Sequence, residues 1–150
     1  MQLSFSTVFA SLAAVLAVAT PAAAQQCFEA SRFGNVNVSP TTLSPGDTFT
    51  VKANFTCAAQ FGIHPQYTDY YIEVPVNNNG YEPPILLARR TLNASSPTPL
   101  LDQFTMQLPY AYYFNASYVV MLDVTYSQSG TNSSSYSVVG GIETPIKILY

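Results

Sequence analysis

The segment Thr48–Cys57, Thr-Phe-Thr-Val-Lys-Ala-Asn-Phe-Thr-Cys, alternates apolar and polar residues without a break. Phe49, Val51, Ala53, Phe55 and Cys57 fall on one face, and Thr48, Thr50, Lys52, Asn54 and Thr56 on the other. A period of two is the mark of a strand with one buried face, and such a face must be covered by a second apolar layer. The turn before it, Ser44-Pro45-Gly46-Asp47, has Pro to preset φ and Gly for the tight bend. Further strands are expected at Asn35–Ser39, with Val36 and Val38 inward, and at Thr68–Val76, with Tyr70, Ile72, Val74 and Val76 inward. Ile85–Leu92, Gln103–Leu108 and Ser117–Tyr126 follow, the last placing Tyr118, Val120, Leu122, Val124 and Tyr126 on one side. Asn77-Asn78-Asn79-Gly80 and Ser95–Pro99 read as turn and loop, and the polar run Ser127–Ser135 as a long hairpin loop. A last strand or pair of strands lies within Tyr136–Tyr150, interrupted near Gly140-Gly141 and Pro145. No segment after residue 24 has helical periodicity. The expectation is an all-β chain, a single antiparallel β-sandwich of about seven strands.

Residues 1–24 read as a secretory signal peptide. An apolar run within Phe5–Val18 leads to the small-residue site Ala22-Ala23-Ala24, placing cleavage before Gln25 and the sandwich domain at 25–150. The apolar stretch is shorter than the roughly 20 residues a membrane-spanning helix needs. Extracellular localisation follows, and no membrane association after cleavage. Five Asn-x-Ser/Thr sequons, Asn37, Asn54, Asn93, Asn115 and Asn132, fit a secreted glycoprotein. Glycans would keep soluble a chain of which only 9% is charged. In an oxidising compartment Cys27 and Cys57 are expected to pair, closing a loop of about 30 residues worth roughly 3–4 kcal/mol.

The order Leu43-Ser44-Pro45-Gly46-Asp47-Thr48-Phe49-Thr50-Val51, then Phe104-Thr105-Met106-Gln107-Leu108-Pro109, then Asn115-Ala116-Ser117-Tyr118-Val119-Val120 resembles an immunoglobulin-like or fibronectin-III-like sandwich, with Tyr118 as a tyrosine-corner residue. The antibody signature is missing: there is no Trp, and Cys27 precedes the first strand. The "SPG-x-x-F" strand entry, the signal peptide, the sequons and the strand-like end at Tyr150 resemble small secreted immunoglobulin-like proteins of basidiomycete fungi. That resemblance implies a fold and a location, with no assigned activity and no catalytic residues.

Several chemistries are disfavoured. The five Lys and Arg residues are scattered and the net charge is −3, which excludes the clustered basic face of a nucleic-acid binder. His64 is the only histidine, so a His-based metal cluster is impossible and any triad would have to use it. Copper-dependent polysaccharide monooxygenases need an N-terminal His, where this mature chain would carry Gln25. Asp69 and Glu73 share a strand face but stand about 13 Å apart, too far for a glycosidase pair. Asp123, mid-strand, reads as a solvated or cross-strand-paired carboxylate. Gly140-Gly141 precedes no helix and is no phosphate cradle. No cofactor or metal is implied, and no catalytic residue is named.

Tyrosine remains, with 11 residues in the chain. Tyr110, Tyr112 and Tyr113 cluster in the connection Pro109–Phe114, and Tyr71 is expected to point outward from its strand. Exposed rings can stack on sugar faces or serve a protein interface. The expected function is a secreted, glycosylated, non-catalytic protein that binds cell-wall carbohydrate or an extracellular protein through these tyrosines. The alternatives are a structural or interaction protein of the extracellular matrix, and an unrecognised hydrolase.

Overall fold

A computed structural model of the chain describes residues 26–92 and 100–150. The signal peptide, its cleavage site with Gln25, the Asn93 sequon and the Ser95–Pro99 loop therefore lie outside the described residues. The elements run β1 (Asn35–Ser39), β2 (Thr42–Leu43), β3 (Thr48–Asn54), α1 (Thr56–Gln60), β4 (Pro65–Glu73), β5 (Ile85–Thr91), β6 (Leu101–Gln107), β7 (Tyr118–Ser129) and β8 (Ser135–Ile148). Single 3-10 turns stand at Glu29–Ser31 and Thr131–Ser133. The strands form two sheets, β1-β3-β6 and β2-β8-β7-β4-β5. The fold is all-β, a sandwich whose alternating strands turn Val38, Phe49, Val51 and Ala53 of the smaller sheet toward Tyr70, Ile72, Val120, Leu122 and Val124 of the larger.

Several expectations need correction. The described strands number eight, because the chain changes sheet after β1. It leaves β1 through the cis Ser39–Pro40 bond, and β2 then pairs parallel with β8, so the larger sheet is mixed, not purely antiparallel. β3 ends at Asn54, and Cys57 sits in the five-residue helix α1. The Asn54 side-chain oxygen accepts the Thr56 N–H at 2.9 Å, turning the chain out of the ladder. Cys57 is still buried and bonds to Cys27, with the two Cα atoms 5.4 Å apart. Val76 is exposed, because β4 stops at Glu73.

The polar run is mostly strand. Ser127 pairs with Ser137 and Ser129 with Ser135, leaving only residues 130–134 as loop. Ladder bonds belong to the backbone, so serine-rich ends extend the hairpin once the apolar parts of β7 and β8 have set its register. Gly140 and Gly141 do not interrupt β8, since each lies under a neighbour. The Phe33 ring occupies the space a Gly140 Cβ would need, and the Asp123 carboxylate covers Gly141.

Polar contacts also join the two sheets: the Thr144 hydroxyl of β8 donates to the Val36 carbonyl of β1 at 2.6 Å, and a larger group centres on β6. Asp102 on β6 is buried, accepts the Tyr70 hydroxyl of β4 at 3.0 Å, and takes the Arg90 Nε of β5 at 2.7 Å. The Phe104 ring packs edge-on against Tyr70, centroids 4.9 Å apart, and lies under the Arg90 guanidinium. Burial and the Asp102 carboxylate push the Tyr70 phenol far above its usual range, so it remains a proton donor.

Candidate binding surface

The connection from β6 to β7, residues 108–117, has no regular structure, yet it is tied down at both ends. Leu108 is fully buried; its N–H donates to the Asp47 carbonyl and its own carbonyl accepts the Gly46 N–H, both at 2.8 Å. This locks the connection to the Ser44–Asp47 turn, where the Asp47 carboxylate accepts the Ser44 N–H at 2.7 Å. Gly46 holds a positive φ of 88°, and the Tyr110 ring lies where its Cβ would project.

Two tyrosines anchor the far end. Tyr113 is buried at 4% exposure and donates its hydroxyl to the Pro109 carbonyl at 3.0 Å. Its ring meets Tyr118 edge-on, centroids 5.6 Å apart. The Tyr118 hydroxyl accepts the Phe114 N–H at 2.9 Å, four residues upstream, which is the hydrogen bond of a tyrosine corner. The same hydroxyl donates to Glu82 Oε1 at 2.8 Å, and the Phe114 N–H also reaches that oxygen, at 3.1 Å. Burial and the Glu82 carboxylate raise both phenols above their usual range.

Between the buried Leu108 and Tyr113, the residues Tyr110, Ala111 and Tyr112 are all exposed. Tyr110 is 86% exposed and Tyr112 78% exposed; Phe114, half-exposed, meets Tyr112 edge-on at 4.7 Å. Of the four tyrosines singled out in the sequence, then, Tyr110 and Tyr112 are exposed, Tyr110 over Gly46 and Tyr112 against Phe114. Tyr113 does not; it is part of the anchor. Tyr71 points outward as expected, but it is half-buried beside Arg89 on the face of the larger sheet, away from the others.

Sequence reasoning missed Glu82. It lies in the 74–84 connection, where the Asn78 side-chain amide clasps its backbone, Nδ2 to the carbonyl at 2.7 Å and Oδ1 from the N–H at 2.8 Å. This places the carboxylate under the β6–β7 connection and leaves Tyr81 77% exposed beside Phe114. Tyr81 and Phe114, with Asn77, Glu82 and Asn115, line a hollow of about 340 Å³. The Asn77-Asn78-Asn79-Gly80 turn was the available signal; nothing in the spacing tied Glu82 to Tyr118, 36 residues later.

Asp69 and Glu73 lie on one strand, as expected, and the structure sets Asp69 directly opposite Asp123 across β4 and β7. Such neighbours have Cβ atoms about 4.5–5.5 Å apart. Arg89 takes both Asp69 oxygens, Nε to Oδ1 at 2.7 Å and Nη2 to Oδ2 at 2.8 Å. Partial burial and the Asp69 charge raise the Asp123 pKa, and burial with Asp123 and Glu143 raises that of Glu73. His64 borders a separate hollow of about 540 Å³ with Gln66, Tyr67, Thr91 and Ser127, and among the described residues no carboxylate lines it. Among the described residues no group of three or more His, Cys, Asp or Glu is placed to hold a metal ion, and no helix is long and apolar enough to cross a membrane.

These features define the class: an all-β, disulfide-linked sandwich with exposed aromatic rings in its β6–β7 connection. No protein-family model, no curated protein and no solved structure matches the chain.

Proposed function

We propose that this is a secreted, N-glycosylated, non-catalytic protein that binds carbohydrate of a cell wall through Tyr110 and Tyr112. The observation that carries the reading is the pairing of two outward rings with two buried ones. Tyr113 and Tyr118 hold the connection in one conformation, so Tyr110 and Tyr112 meet a ligand with little entropy left to lose. Flat exposed rings with hydroxyl tips suit the apolar faces and hydroxyls of sugars. The Cys27–Cys57 bond supports export, since disulfides persist in oxidising compartments. The strand order and the Tyr118 corner support an immunoglobulin-like assignment. The non-catalytic reading is favoured by Asp69, whose two oxygens are both engaged by Arg89.

The test is binding of the glycosylated protein to insoluble chitin, β-glucan and cellulose, beside a Tyr110→Ala/Tyr112→Ala variant. Both rings are exposed, so the variant keeps the fold, which circular dichroism verifies. Binding by the parent and loss in the variant are expected. Undiminished binding by the variant overturns the role of the rings. Failure of the parent to bind any polymer overturns the carbohydrate reading and leaves an extracellular protein as the partner.

One arrangement favours a second reading, a matrix protein whose glycans are its working surface. Asn37 and Asn54 lie on the outer face of the β1-β3-β6 sheet, because Asn54 pairs with Asn35 and Lys52 with Asn37. Asn115 and Asn132 flank the two ends of β7. A variant lacking all the sequons that still engages its polymer or partner rules this reading out.

A further inference from the structure

We propose that the hollow between the 74–84 connection and residues 114–116 is the seat of the first sugar of a glycan on Asn115. The inference rests on the reading of the chain as secreted and glycosylated. Asn115, Ala116 and Ser117 are all exposed, so the sequon is open, and Asn115 itself lines the hollow. A sugar attached to its side-chain nitrogen begins at the rim.

The chemistry of the walls suits that occupant. Tyr81 and Phe114 present ring surface from the two facing connections, and the exposed Asn77 amide stands at the edge. An N-acetylhexosamine has an apolar face for the rings and hydroxyls and an acetamide for polar groups. The volume of about 340 Å³ lies at the small end of ligand sites. A free monosaccharide would be held only weakly by so few contacts. A tether of one covalent bond replaces bulk concentration with an effective concentration of about millimolar or more, so weak contacts suffice.

Asn115 also borders a second hollow of about 500 Å³, formed with residues 145–150. There Tyr150 is the exposed ring, against two on the Tyr81 side, so stacking favours the Tyr81 side. The seated sugar leaves Tyr110 and Tyr112 uncovered, since neither lines this hollow. It would wall in one side of the exposed aromatic cluster.

The experiment uses the full chain expressed in a eukaryotic secretory host. The native protein is treated with a peptide N-glycosidase, and release at each sequon is followed by mass spectrometry. Asn132, exposed in the β7–β8 loop at the other end of β7, is the internal reference. A sugar seated about nine-tenths of the time is released about tenfold more slowly than one in solvent. The expected result is that delay at Asn115 relative to Asn132, abolished by Tyr81→Ala and unaffected by Tyr150→Ala. Tyr81 is exposed, so its removal does not threaten the fold. Equal release at the two sites overturns the inference, and so does a delay that survives Tyr81→Ala. Glycans at other sequons with Asn115 bare overturn this inference alone. No glycan anywhere overturns the reading beneath it.

Discussion

Replacing Asp102 with Ala should be among the most damaging single changes to this domain, for reasons that separate into parts. Asp102 joins the two sheets by accepting the Tyr70 hydroxyl and the Arg90 Nε. Without it, the Tyr70 hydroxyl, at a residue with no solvent exposure, loses its carboxylate acceptor and keeps only the Thr68 side chain beside it, a loss of about 1–3 kcal/mol. Arg90 is different: its side chain is 40% exposed and can return to water, so its lost ion pair counts for at most about 1 kcal/mol. Together these give about 1–4 kcal/mol, a fall in Tm of about 3–15 °C for a domain of this size. Tyr70→Phe alone keeps the Asp102–Arg90 pair and should cost about 1 kcal/mol. The decisive measurement is the double-mutant cycle, by urea denaturation with the disulfide intact. In the Asp102→Ala background Tyr70→Phe should cost nothing or restore stability, because it removes the stranded hydroxyl, giving a coupling of about 1–2 kcal/mol. Additive losses would refute the argument, as would an Asp102→Ala protein of parental stability.

Other outcomes follow from the same structure. Asp123 has a raised pKa in the folded state, so it favours folding below its ordinary value of 3.8 and loses that contribution as pH rises through the folded value. Asp123→Asn should therefore raise Tm at pH 7 by about 1–2 °C and leave it unchanged near pH 3, as read by thermal denaturation at both values. Gly140→Ala displaces the Phe33 ring and should destabilise by about 1–3 kcal/mol in urea titrations, although alanine is ordinarily the better strand residue. A neutral or stabilising result would mean that Phe33 is not packed there. Tyr70 and Tyr118 both have phenol pKa values raised above 10.0, so their contribution is intact below pH 10 and lost above it. Tyr118→Phe should lower stability at pH 7 by about 1 kcal/mol and make the alkaline fall shallower, a pair of effects visible in unfolding curves at pH 7 and pH 11.

The local pattern carried much of the fold. β1 was legible to the residue, and the inward faces of β3, β4 and β7 were correct wherever one apolar side alternated with one polar side. Errors clustered where residue type and ladder disagree. Serines at the end of β7 and glycines and a proline in β8 look like loop, yet a partner strand already in register supplies their hydrogen bonds. The helix α1 was missed because Phe55 and Cys57 keep the alternation of β3, while one side-chain hydrogen bond from Asn54 breaks the ladder. The tyrosine cluster was visible as composition. Its division into platform and anchor was not, because Tyr112 and Tyr113 are adjacent and of one residue type, and only the Pro109 carbonyl and the Tyr118 ring tell them apart.

Sequence alone therefore determined those properties that depend on short runs: a β chain, its main strands and their buried faces, the pairing available to two cysteines, and five acceptor sequons. Tertiary structure decided every property that depends on which distant residues meet. Glu82 lies beneath Tyr118, Asp69 opposite Asp123 and under Arg89, Asp102 between two sheets, and Asn115 beside Tyr81. The physical reason is that periodicity encodes which side of a strand is dry, a property of one segment. Pairing of charges and rings across strands is set by register and sheet order, and those are fixed only when all the dry faces close on one another.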